Sequence, residues 1–123
     1  MKTIGQFYRE KVLSQPGLTL KELPADGDVI AVEQDLFGWM LRIGRNSIPC
    51  RSEAEARFLA VLRDAGMTEI QVPDDDSYLA EILPALEKLK ARVDEIIESY
   101  LDAVRDPQAR ETVRREVFAE ITQ

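Results

Sequence analysis

Apolar positions change their period part-way along the chain, from mostly strand-like alternation to helical spacing. Near the start, Ile4, Phe7, Tyr8 and Val12 fall at helical separations and predict a short amphipathic helix that Pro16-Gly17 stops. After a loop through Pro24-Ala25-Asp26-Gly27-Asp28, the β-branched run Val29-Ile30-Ala31-Val32 predicts a strand. A second strand follows over Trp39 to Ile43, where Trp39, Leu41 and Ile43 share one face and Met40 and Arg42 the other. The third runs from Ile48 to Arg51, with Ile48 and Cys50 on one face and Pro49 favouring an edge or strand end. Asp35 and Gly38 in the first connection, and Gly44-Arg45-Asn46 in the second, suit tight antiparallel hairpins.

Ser52-Glu53-Ala54-Glu55 reads as a capping box, with Ser52 accepting from the Glu55 backbone and Glu55 reaching back to Ser52. It opens a helix over 53–65 that turns Ala54, Phe58, Val61, Leu62 and Ala65 inward and closes at Gly66. Ile70 and Val72 then alternate with polar neighbours, predicting a strand over 69–72. The order strand, strand, strand, helix, strand makes residues 1–73 an α+β head, a small antiparallel β-β-β-α-β sheet with one helix on its face.

Beyond Pro73 and Asp74-Asp75-Asp76, the residues Ile82, Leu86, Leu89, Val93, Ile96, Tyr100 and Ala103 alternate separations of four and three, the rhythm of a helix packed along another helix. The expected helix covers about 77–105, with Pro84 either ending a short preceding turn or kinking the rod. Asp106-Pro107 supplies an N-cap and a first helical position for a last helix over about 107–122, turning Val113, Val117, Phe118 and Ile121 inward. Residues 74–123 thus read as a helical hairpin forming one structural unit with the head.

Length gives this hairpin a consequence. The 123 residues suit one compact domain, of radius of gyration about 14 Å and diameter about 35 Å. A helix over 77–105 would span about 44 Å. The stripe would then outrun what one small body covers, and a second copy or a helical partner is expected on it, with Leu86, Leu89, Val93, Ile96, Ile97 and Tyr100 as anchors.

Composition narrows the chemistry. Lys and Arg number 16 against 23 Asp and Glu, a net charge of −7, which disfavours general nucleic-acid binding. The acidity is uneven: residues 1–73 hold 9 basic and 10 acidic side chains, residues 74–123 hold 7 and 13. With no His, the commonest general base and metal ligand is missing. The apolar runs are short and the first residues lack an export signal, so no membrane association and a cytoplasmic location are expected.

No family-specific motif stands out. Asp74, Asp75 and Asp76 are read as helix caps and dipole partners rather than metal ligands. Cys50 is read as a small packing residue, because no His exists to activate it. Lys88, Lys90 and Arg92 among the acids of the long helix are read as a solvated face. No cofactor, metal site or catalytic group is assigned. The leading reading is a non-enzymatic interaction or assembly protein, self-associating as a dimer. The alternative is a ligand-sensing domain that holds an anionic ligand on the sheet through Trp39, Arg42 and Arg45.

Overall fold

The computed structural model of the chain describes residues 2–101. The expected helix over 107–122, the end of the 77–105 helix and the Tyr100 side chain lie outside the described residues. The fold is mixed α+β: helix α1 (Ile4–Phe7, continuing as a π-helical turn over Tyr8–Val12), strands β1 (Leu18–Glu22), β2 (Val29–Asp35), β3 (Gly38–Ile43) and β4 (Asn46–Cys50), helix α2 (Glu53–Asp64), strand β5 (Glu69–Pro73) and the long helix α3 (Asp76–Leu101).

The first helix begins on a capping box in which Thr3 Oγ1 accepts from Gln6 N and Gln6 Oε1 accepts from Thr3 N. Leu13 N then donates to Tyr8 O at 3.0 Å, one residue further along than an α-helix allows. That wider turn brings Val12 round to the buried side with Ile4 and Phe7.

Strands β2, β3 and β4 form the expected antiparallel meander, with Val32, Leu41 and Ile48 aligned across it. The fourth expected strand departs from the reading. β5 pairs with β1 as a separate two-stranded antiparallel ribbon, Lys21 opposite Ile70 and Thr19 opposite Val72. Residues 18–22 carry too short an alternation to announce a strand, and Leu20 stays 48% exposed, so no clean apolar face marks them.

Helix α2 is the middle layer. Its buried residues Phe58, Leu59 and Leu62 meet the core-facing Leu41 and Ile43 of the meander and the Leu83 and Leu86 stripe of α3 in one cluster. That cluster includes Ile4, Phe7, Val12, Ile70 and Val72, so residues 2–73 and the described part of 74–123 share a core. Arg63 on α2 holds the incoming loop by donating to the carbonyls of Pro24, Ala25 and Gly27 at 2.8, 2.9 and 2.7 Å. Gly27, at φ +89°, lies against Gly44, where an added Cβ would come within 2.9 Å of the Gly44 Cα.

Pro84 lies inside α3, so it neither begins the helix nor ends a preceding turn. Its ring and Ala80, whose carbonyl loses a donor, are both on the exposed side, where that oxygen is open to solvent.

The central position of α2 sets a stability expectation. Phe58→Ala, a fully buried truncation, should cost about 3–5 kcal/mol in urea unfolding, with an unchanged denaturant slope; a cost below about 1 kcal/mol would contradict the layer assignment.

Candidate functional site

Of the residues expected to anchor a partner on the long helix, Leu86, Val93 and Ile97 are buried within the chain itself. Leu89 is half-buried against the core and Ile96 half-buried. The buried stripe of α3 runs Leu79, Leu83, Leu86, Lys90, Val93, Ile97, Leu101 rather than through Leu89 and Ile96. The premise of a wide uncovered seam therefore fails over the described length, because α3 lies against α2 and α1 and closes its own stripe.

Lys90 is the unexpected member. It is 6% exposed, with Nζ donating to Asp64 Oδ2 at 2.5 Å and to both Asp94 oxygens at 2.8 Å. This corrects its reading as part of a solvated face. In the sequence Leu89 completes the four-three pattern between Leu86 and Val93, so nothing in the spacing marks Lys90 as the buried member. A buried ammonium is tolerated when it is paired and hydrogen-bonded, as here. Beside it, a shallow groove of about 430 Å³ runs between α2 and α3, with Val29, Ala60, Val61 and Ala91 as its apolar part.

On the meander, alternation puts Trp39 on the face of Leu41 and Ile43, half-buried and not packed into the core cluster. Arg42 lies on the opposite face, 3.5 Å from Glu33 Oε1, and Arg45 is exposed at the turn between β3 and β4. Trp39 and Arg42 are thus not brought to one face.

The densest polar constellation joins three junctions that sequence reading treats separately. Glu55 is 3% exposed, and its carboxylate lies 3.2 Å from Arg51 Nε and 3.5 Å from Lys21 Nζ. Ser52 caps α2 as expected, accepting from Glu55 N at 3.1 Å. The return half of the expected box differs: Glu55 Oε1 accepts from Arg51 N at 3.4 Å, because its carboxylate is drawn to the two cations. Arg51 also donates to Asp76 Oδ1 at 3.2 Å, to Asp74 O at 3.2 Å and to Pro73 O. The aspartates divide as caps and braces. Asp75 Oδ1 accepts from Ser77 N and Tyr78 N, Asp74 Oδ1 from Thr19 Oγ1, and Asp76 Oδ1 from Ser52 Oγ. Among the described residues no cluster of three or more potential ligands is placed to hold a metal ion.

Cys50 adjoins this junction. Burial, reinforced by the nearby Glu55 carboxylate, pushes its thiol from 9.0 up to about 11. A neutral thiol at physiological pH is a poor nucleophile. Comparison with family models, curated proteins and solved structures gives no match. Among the described residues no helix is long and apolar enough to cross a membrane.

Among the described residues the most exposed apolar feature is the tip of the β2–β3 hairpin, which no period in the sequence marks. Leu36 and Phe37 are 99% and 97% exposed. Asp35 Oδ1 accepts from Phe37 N at 2.7 Å, and Gly38, at φ +121°, supplies the left-handed residue. The turn is thus built by its flanks, and neither apolar side chain is needed to hold it.

Two outcomes follow from the junction. Arg51→Met leaves Glu55 buried beside Lys21 alone and should cost about 2–4 kcal/mol in urea unfolding; a loss under about 1 kcal/mol would contradict the bridging role. For Cys50 the folded thiol holds its proton where the unfolded one releases it, so its contribution to stability is intact below about pH 9 and is lost as pH rises towards about 11. Alkylation rate against pH should inflect near 11; an inflection at or below 9 would show an activated thiol.

Proposed function

We propose that this chain is a non-enzymatic assembly protein that self-associates through its β2–β3 hairpin rather than through the stripe of its long helix. The observation that carries the reading is the exposed pair Leu36 and Phe37 on a turn whose geometry does not require them. A turn built on Asp35 and Gly38 would hold equally well with polar residues at its centre, which would avoid exposing two large apolar side chains to water. Their burial against a partner returns about 1.5–3 kcal/mol each.

Further support comes from the surroundings of the tip. Trp39, second in the returning strand, is half-buried, and Met40 and Pro49 face each other across β3 and β4, so the same end of the meander is rich in apolar side chains. The nearest charges on β2 are balanced or engaged, Glu33 by Arg42 and Asp35 by the turn it caps. An end of this kind suits an apolar protein surface rather than a phosphate or a nucleic acid.

Sedimentation at two concentrations tests the proposal. The chain should shift from monomer towards dimer as concentration rises, and Leu36→Ser with Phe37→Ser should raise the dissociation constant by at least about 100-fold while leaving the melting temperature of the dilute monomer unchanged. A monomer at every concentration, or a dimer indifferent to both substitutions, would refute it.

A further inference from the structure

The two edges of the meander are unlike. β4 carries Pro49, which withdraws a donor and blunts that edge. β2 occupies the opposite edge, and over Val29–Asp35 it contains neither proline nor lysine. Its bulge at Ile30 lies at one end and leaves Ala31 to Asp35 in regular register with β3. Among the described residues no further strand pairs with this edge, and an unpaired row of backbone donors and acceptors is a template for another strand.

Resting on the self-association just proposed, we infer that the partner is a second copy of this chain, joined by antiparallel pairing of β2 with the partner subunit's β2 about an axis at Val32. Both sheets then merge into one of six strands. Strand extent and charge together select the register: Val32 is the midpoint of Val29–Asp35, so an axis there spans the whole strand. Centred on Val32, Glu33 of one copy faces the partner's Ala31, and no carboxylate opposes another along the strand. Centred on Glu33, two carboxylates would meet directly, which is destabilising.

The same pairing accounts for the exposed apolar residues. β2 begins at Val29 and ends at the tip, so two antiparallel copies set each tip beside the other copy's Val29, which lines the groove between α2 and α3. The knob and the groove are thereby carried by one chain at opposite ends of one strand, the self-complementarity that a two-fold interface needs. The area is of the right order. Large apolar side chains bury on the order of 100–200 Å² each. Leu36, Phe37 and Ile30, at 99%, 97% and 60% exposure, together offer about 400 Å² per copy. That is half of the roughly 800 Å² each partner contributes to a stable complex, and the paired strand backbone supplies much of the remainder.

Cysteine cross-linking of the full chain tests the register, in a Cys50→Ser background that leaves each introduced thiol unique. Val32→Cys places two thiols across the axis, where antiparallel Cα separations of about 4.5–5.5 Å permit a disulfide. It should oxidise to a covalent dimer, while Met40→Cys, one strand further in, should not. If Val32→Cys fails to fold, Ala31→Cys mixed with Glu33→Cys, both on the outer face, should give the mixed disulfide. Sedimentation of the unmodified chain separates the two claims. A dimer that forms neither disulfide overturns the β2 pairing and leaves self-association standing; a monomer at every concentration overturns both.

Discussion

Everything in this molecule depends on α2 being covered from two sides. A helix laid on a small sheet ordinarily buries one stripe, but here Phe58, Leu59 and Leu62 belong to a cluster reaching the meander through Leu41 and Ile43 and the long helix through Leu83 and Leu86. The three-stranded meander covers only part of that buried surface. The long helix completes the layer, and in doing so it buries the described part of its own stripe. The polar contacts follow the same geometry. Arg57 pairs with Glu87, and Lys90 with Asp64, so the two helices are fixed by charge beside the apolar contact.

The junction at the start of α2 shows how the sheet and helices are kept in register. Glu55 is buried where a carboxylate would be costly without cations, and Arg51 and Lys21 reach it from the end of the meander and from the ribbon. Arg51 continues to the β5–α3 connection. One side chain therefore ties the meander, α2 and the approach to α3, and the neutral thiol of Cys50 sits beside it as packing rather than chemistry.

Much of the architecture was legible because the relevant signals were local. The alternation over Trp39–Ile43, the Ser52 cap, Gly66 after α2 and the rhythm of the long helix each act within a few residues, and the mixed α+β fold they imply is the one observed. What escaped notice was set by tertiary context. β1 gains its strand character from β5, some fifty residues away, and has no apolar face of its own. Lys90 sits in a buried position because Asp64 on another helix receives it. Over the described residues less of the stripe is uncovered than helix length implies, because a length argument treats the helix as a free rod, whereas α1 and α2 both lie against it. At the other extreme, Leu36 and Phe37 follow no period, so only their exposure in the fold identifies them. The proposed interface lies accordingly at the end of the meander rather than on the acidic helix.

Native-state hydrogen exchange tests the central claim most directly. If α2 is the layer on which both faces depend, its amides from Phe58 to Leu62 should exchange only through global unfolding, with the same free energy as the central strand β3. Exchange of those amides through a smaller opening, while α3 or the meander remains protected, would show that the layers stand without α2 and would contradict the account.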